Sequence, residues 1–369
     1  MVRNFGWILF SVAALPVLRA NVPGTFPPPA GQPGSNAISA ADARFLGWAT
    51  GVASFSPGPD DVSDPMSFPV DYGTGASALG PADILTPQNQ PAPGDPGPYP
   101  AVSLGDGGSI TLRFSPAIAD GPGPDLAVFE NGLNDEFLEL AFVEVSSDGA
   151  QFVRFPAVSC TPVTQQVGSF SALDARNLSN LAGKYRAGWG TPFDLGTLPA
   201  QPSLNKAAIT HVRLIDVVGS IDPLYGRRDS LGQLINDPFP TPYASGGFDL
   251  DAVGVLHQSV TSYAGWRGQF TWTQSAPNDD PDQDGVSNLM EYAFATNPLQ
   301  SNAAPAIMLT RSPSGLTAHF PAARTSADLI VGVQTSADLR TWSAPVALAP
   351  LTLAGRTRFC RLHMQLREP

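Results

Sequence analysis

The stretch 140-LAFVEVSSDGAQFVRFPAV-158 sets two short runs rich in Val and Phe on either side of Ser147-Asp148-Gly149. Phe142-Val143-Glu144-Val145 and Phe152-Val153-Arg154-Phe155 carry β-branched and aromatic residues, and the three residues between them are turn formers. The stretch is therefore a β-hairpin. The same grammar recurs outward along the chain. Upstream, 102-VSLGDGGSITLRFSPAI-118 alternates Ile110, Leu112 and Phe114 with Thr111 and Arg113 behind the turn GDGG, and 125-DLAVFE-130 is a short apolar strand. Downstream, 211-HVRLIDVV-218 and 248-FDLDAVGVLH-257 are two more. Strands divided by turns, with few amphipathic helical patterns, predict a mostly β protein built on an antiparallel β-sandwich over 37–260. One helix is expected inside it, Ala40 to Trp48 with Ser39 as its cap.

Composition agrees. The 369 residues include 38 Pro and 36 Gly, which suit many turns, and 43% hydrophobic residues, enough for a substantial core. Lys and Arg number only 20, the formal net charge is −12, and the pI is about 4.6. Such a chain repels nucleic acid and anionic membranes and has carboxylates to spare for cations. Residues 1–20, MVRNFGWILFSVAALPVLRA, pair Arg3 with an apolar run from Phe5 to Leu18. That run falls short of the ~20 residues a membrane span needs, so a cleaved signal peptide is expected, with no transmembrane segment in the mature chain. The expected location is extracellular or on the cell surface. Residues 21–36 form a Pro/Gly-rich linker. Cys160 and Cys360 can be bonded or free on this reading.

The acidic stretch 279-DDPDQDGVSNLMEYAFATNP-298 carries the firmest chemistry. Counted from Asp280, positions 1, 3 and 5 are Asp280, Asp282 and Asp284, position 6 is Gly285, position 9 is Asn288 and position 12 is Glu291. This is the D-x-D-x-D-G-x5-E pattern of a calcium loop, in which the main-chain carbonyl of Val286 fills position 7. A hard cation wants six to eight oxygens, and alternate carboxylates can curl around it. Glu291 is expected on a helix running from Asn288 to Ala295. The residues before the loop, SYAGWRGQFTWTQSAPN, do not read as an incoming helix, so this is half of an EF-hand. It resembles the calcium loops of dockerins and thrombospondin type 3 repeats, and the short linkers of secreted bacterial surface proteins. Beyond it, 299–369 is expected to be a smaller C-terminal β-sandwich module. Its strands are expected at Ala306–Leu309, Leu316–Phe320, Leu329–Gln334 and Arg356–Gln365, with Trp342 in its core. The connector 261–298 joins the two.

Taken in order, VSLGDGGSITLRF, GPDLAVFENG, LAFVEVSSDGAQFVRFPAV, AGKYRAGWGTPFDLG and GGFDLDAVGVL resemble a family of secreted bacterial cell-surface proteins with jelly-roll-like domains. The order of strands is also similar to galactose-binding-like and discoidin-like sandwiches. The resemblance implies a jelly-roll-like sandwich and, more distantly, sugar recognition.

Two further constellations stand out in the sandwich. In FDLDAV, Phe248, Leu250 and Ala252 are expected on one face and Asp249 and Asp251 on the other. With Asp106, Glu130 and Asn131 these acids offer a possible second calcium site; the alternative is turn-capping aspartates and a solvated strand face. In 183-GKYRAGWGTPF-193, Tyr185, Trp189 and Phe193 can either stack on a sugar or partner, or fold inward as a loop plug. His211, His257, His319 and His363 show no metal-ligand spacing, and no nucleophile motif is present. The expectation is an exported calcium-binding protein that binds or adheres outside the cell, to a glycan or a surface protein. A polysaccharide-active hydrolase and a purely structural surface component are the alternatives.

Overall fold

The computed structural model describes residues 24–86, 99–260, 262–268, 270, 272–294, 296–299, 301, 307–312, 315–320, 323, 326–353 and 359–367. The expected signal peptide lies outside them, as do Ala306 and residues 356–358 of the expected C-terminal strands.

The 140–158 hairpin forms as read. Strands β1 (Ile38–Ser39), β2 (Gly47–Trp48), β3 (Gly51–Ser56), β4 (Val102–Ser103), β5 (Ser109–Ile118), β6 (Leu126–Glu130), β7 (Ala141–Ser146) and β8 (Val153–Arg154) lead into β9 (Val158–Ser159), β10 (Leu178–Ser179), β11 (Trp189–Phe193), β12 (Ile209–Asp216) and β13 (Asp249–Val255). β7 and β8 pair antiparallel through Glu144 with Arg154 and Val145 with Val153. They close one edge of a five-stranded sheet in the order β3-β5-β12-β7-β8. The facing sheet runs β1-β11-β6-β13-β2, with β4 also on β13. All these pairings are antiparallel.

One core joins the two sheets. Ile110, Leu112, Val143, Val145, Val212 and Leu214 from the first sheet meet Leu126, Val128, Phe193, Leu250, Val253 and Val255 from the second. Burying two apolar faces against each other is what the alternation in each strand demands, and the result is a β-sandwich. β6 and β13 are buried along their whole length, because a second cluster with Ala127, Phe129 and Ala252 covers their outer side.

On the outer face of the first sheet, buried Glu144 is held between two cations. Arg154 and Arg213 each donate to it, at 2.9 and 2.7 Å from their Nε atoms. Their guanidinium groups lie 4.1 Å from the Phe142 ring and 3.9 Å from the Phe152 ring. A carboxylate in an apolar setting is costly unless it is paired, and here two arginines pair it.

The expected helix over 40–48 is absent. Ile38 and Ser39 pair with Gly190 and Trp189, and Gly47 and Trp48 with Val255 and Gly254. Between them lie turns, and Phe45 and Trp48 pack on Phe129 with ring centroids at 5.6 and 5.7 Å. Strand pairing and aromatic burial override the local helical pattern.

After the sandwich come α1 (Tyr263–Arg267) and α2 (Asn288–Phe294), then β14 (Met308–Ser312), β15 (Gly315–His319), β16 (Leu329–Ser336), β17 (Val346–Ala347), β18 (Leu351–Leu353) and β19 (Phe359–Leu366). These last strands build two three-stranded antiparallel sheets, β14-β15-β18 and β17-β16-β19. α1 was not legible in the sequence. Ser262 caps it by accepting from the Gly265 amide at 3.1 Å. Its Tyr263 and Trp266 share an aromatic cluster with Tyr292 of α2 and with Leu329 of β16. Trp342, expected in the core, is half-buried and lies under Arg361, whose guanidinium is 4.2 Å from the ring.

Candidate metal centre

The 280–291 loop folds around its own backbone. The Gly285 amide donates to Asp280 Oδ2 at 2.9 Å, the Val286 amide to Asp284 Oδ1 at 2.7 Å, and the Asp284 amide to Asp282 Oδ1 at 3.3 Å. Each aspartate thus turns one oxygen to the backbone. Gly285 takes φ +89, a left-handed value that glycine adopts at low cost. The side chain of Val286 is buried, which holds position 7 of the loop in place. Asp280, Asp282 and Asp284 each offer an oxygen within 4.8 Å of the other two, a spacing that could hold a metal ion.

α2 completes the set. Asn288 and Glu291, both fully buried, sit on its first turn. The Asn288 amide nitrogen donates to the carbonyls of Gln274 and Ala276 at 3.0 and 2.9 Å, which fixes its orientation and leaves Oδ1 without a partner. Asp280 Oδ1, Asp282 Oδ2 and Glu291 Oε2 are likewise buried without a hydrogen-bond partner. Burial, reinforced by Asp282 and Asp284, pushes the Glu291 carboxyl up to about 8. Buried polar atoms are almost always satisfied, so four orphaned oxygens around one loop form a set that could hold a metal ion.

The sandwich acids divide. Asp249 accepts from Ser103 Oγ and from Asn131 Nδ2, the latter at 2.7 Å, while Glu130 Oε2 accepts from the Gly132 amide at 2.8 Å. These three residues come together. Asp251 instead reaches the backbone amides of Asp83 and Ile84 at 3.4 Å, and Asp106 accepts from the Val62 amide at 2.8 Å. The alternative of a solvated face for FDLDAV is excluded, because every residue of β13 is buried. A register shift between Leu250 and Ala252 also breaks the simple alternation, sending Leu250 to the inter-sheet core and Ala252 to the outer cluster.

Three acids that sequence reasoning passed over join this region. Glu139, Asp216 and Asp237 are all buried; Glu139 and Asp216 each interrupt an apolar run, which was the available signal, whereas Asp237 follows Asn236 ahead of Pro238 and carries none. Burial raises Glu139, Glu130 and Asp237 well above ordinary carboxylate values, Asp249 to about 7 and Asp216 to about 8. A further group, Asp120, Asp125 and Asp194, could also hold a metal ion by spacing. Asp125, however, is already engaged by the Gly121 and Leu195 amides at 2.7 Å and by His257 Nδ1 at 2.8 Å.

Of the two readings of the 183–193 aromatics, the inward one describes Tyr185 and Phe193. Tyr185 and Phe193 are each 1% exposed, Tyr185 bonded to Asn36 and Phe193 packed 5.0 Å from Phe155 between ring centroids. Trp189 alone is half-buried, beside Arg186. Tyr185 and Phe193 thus fold into the sandwich. An exposed aromatic row lies elsewhere: Phe170 stands 5.8 Å from Phe137 and 5.5 Å from Tyr243 between ring centroids, with Phe170 68% exposed. No protein-family model matches the chain, and no curated protein sequence matches it.

Proposed function

We propose that the chain is an exported protein that binds a calcium ion in the 280–291 loop and serves as a calcium-braced binding protein outside the cell. The observation that carries the metal is the set of four buried, partnerless oxygens on Asp280, Asp282, Asn288 and Glu291. Oxygen-only donors, a bidentate-capable glutamate and a loop that turns at glycine suit calcium better than softer ions, with the Val286 carbonyl completing the shell. The ion's role is structural. α2 carries Asn288 and Glu291 on one turn and Tyr292 in the aromatic cluster on the next residue, so the ion would lock the loop to that cluster. Exposed Phe170 and Tyr243, with half-buried Phe137 beside Phe170, support the binding half of the reading, since aromatics open to solvent suit sugar faces or a partner surface.

Calorimetric titration of calcium into the chelator-treated full chain tests the metal, with Asp284→Ala beside it. Uptake that the substitution reduces by one equivalent supports the reading. Equal uptake by both proteins, or no heat and no change of melting in chelator, overturns it.

A further inference from the structure

Glu144 and its two arginines belong to a wider face. Leu112, Val143, Val145, Phe155, Val212 and Leu214 point into the inter-sheet core, so the residues that alternate with them stand on the outer side of the first sheet. Those residues include Arg113 of β5, His211 and Arg213 of β12, Glu144 of β7 and Arg154 of β8. The register sets Arg113 opposite His211, and Arg213 opposite Glu144, which faces Arg154 in turn. Exposed Ser54 of β3, opposite Thr111, adds a hydroxyl beside them. One end of the face is covered, because Phe142 and Ile215 pack with Leu138, Leu140 and Val217. Away from that cover Arg113 and Arg154 are exposed and Arg213 is half-buried.

Charge does not balance on this face. Elsewhere an ion-paired arginine has an acid to itself: Arg44 has Asp42, Arg176 has Asp174 and Arg186 has Asp135. Here two arginines share Glu144, and Arg113 has no ion pair among the described residues. Burial, and after it the Arg113 charge, hold the His211 imidazole below its ordinary pKa, so it adds little charge near neutrality. Asp148, an exposed acid in the β7–β8 turn, also acts on His211. Its Oδ1 already accepts from Ser146 Oγ and from the Ala150 and Gln151 amides. In a chain of net charge −12 with only 20 Lys and Arg, this cationic face is a local exception.

The arginines are also held in place. Arg154 turns Nε and Nη2 to Glu144 Oε1, and Arg213 turns the same pair of atoms to Oε2. Each guanidinium lies over a ring, Arg154 over Phe142 and Arg213 over Phe152. Among the described residues no acceptor takes Nη1 of either. Fixed guanidinium groups with donors to spare fit carboxylate or sulfate oxygens. From β5 to β8 the face spans three inter-strand steps, roughly 14 Å, which suits an extended chain of anions rather than a single ion. Nucleic acid is disfavoured, because its dense charge would also meet the acidic remainder of the surface. We propose that this outer face binds an anionic polysaccharide, whose uronate or sulfate groups pair with Arg113, Arg154 and Arg213. The face shares no residue with the 280–291 loop or with Phe137, Phe170 and Tyr243.

The test titrates the full chain at low salt with hyaluronan as the uronate probe, dextran sulfate as the sulfate probe and dextran as the neutral control. Wild type is expected to bind at least one anionic polymer and to release it as salt rises; the tighter of the two names the anion. Arg113→Ala should bind about tenfold more weakly, the size of one charge-assisted hydrogen bond. Arg113→Ala/Arg154→Ala should show no measurable binding. Arg44→Ala, which removes a cation paired with Asp42 elsewhere, should bind as wild type does. No binding to either anionic polymer, equal binding to dextran, or an equal loss in Arg44→Ala overturns the proposal. Tighter binding of single-stranded DNA or of poly-glutamate overturns it too, and assigns the face to another class of partner. Arg113 is exposed and without an ion pair among the described residues, so Arg113→Ala should melt with wild type. If the double variant melts early, Arg113→Ala decides alone. The loop variant Asp282→Ala/Asp284→Ala should bind the polymers as wild type does, which separates this reading from the calcium one. Binding lost in that variant counts against a site on the sheet face.

Discussion

The Tyr292 hydroxyl donates to Asp328 Oδ1 at 2.9 Å, tying the helix of the acidic loop to the residue that enters β16. The other oxygen of Asp328 accepts from the Tyr263 amide at 2.6 Å, so one carboxylate fastens both helices to the C-terminal sheet. Tyr292 follows Glu291 directly, which makes α2 the link between the metal loop and this junction. Tyr292→Phe keeps the ring and removes the hydroxyl, leaving Ser326 Oγ, at 2.6 Å, as the remaining donor to Asp328 Oδ1. We expect a loss of about 0.5–1.5 kcal/mol in stability, read from denaturant unfolding followed by tryptophan fluorescence, since Trp266 and Trp272 sit in the same cluster. Calcium stoichiometry should be unchanged. An unaltered unfolding midpoint would show that the Asp328 contact carries nothing.

Gly285 offers a sharper test of the loop. Its φ of +89 strains any residue with a Cβ, yet an added Cβ would meet nothing within 4 Å. Gly285→Ala therefore probes backbone conformation alone. A penalty of about 1 kcal/mol in the metal-bound turn corresponds to roughly fivefold weaker calcium binding in a titration. Equal affinities in the two proteins would mean that the turn is not coupled to the ion.

Legibility followed how local each feature is. The β7–β8 hairpin was readable because Asp148 accepts from the Ala150 and Gln151 amides at 2.8 Å and Gly149 supplies φ +75, all within four residues. The loop's ligands were readable because twelve consecutive residues hold them. Glu139, Asp216, Asp237 and Asp249 were not grouped, because four separate segments bring them together and no spacing announces it. The false helix at 40–48 fails for the same reason: Gly47 and Trp48 pair with Val255 and Gly254, far along the chain. The direction in which Tyr185 and Phe193 point depends on which sheet covers them, and 183–193 by itself does not state it.

Residues 336–341 repeat the hairpin turn with one flaw. Asp338 accepts from the Arg340 and Thr341 amides at 2.8 Å, and Ser336 Oγ accepts from the Leu339 amide at 2.9 Å, as Ser146 and Asp148 do in the first turn. Where that turn has Gly149, this one has Leu339 at φ +62 with its side chain 57% exposed. Relief of the left-handed strain outweighs the backbone entropy of glycine, and little packing is lost. Leu339→Gly should stabilise by roughly 0.5–1 kcal/mol in denaturant unfolding. A destabilised variant would show that Leu339 packs in a way its exposure hides.

Lys184 is 4% exposed, and its Nζ donates to the Leu178 carbonyl at 2.8 Å. Burial holds its pKa down to about 8, with Asp174 pulling weakly the other way. The sign of the stability effect follows. The unfolded lysine keeps its proton up to the ordinary lysine value of 10.5, whereas the folded one releases it near 8. Between those values the unfolded state binds more protons, so this residue's contribution improves as pH rises, and its full penalty applies below pH 8. Lys184→Met removes the titration and is the reference that cancels the other groups. Relative to that variant, wild type should gain about 2–3 kcal/mol of unfolding free energy between pH 7 and pH 10. Parallel pH profiles for the two proteins would mean that Lys184 stays charged in the fold, with water or an acid reaching its ammonium.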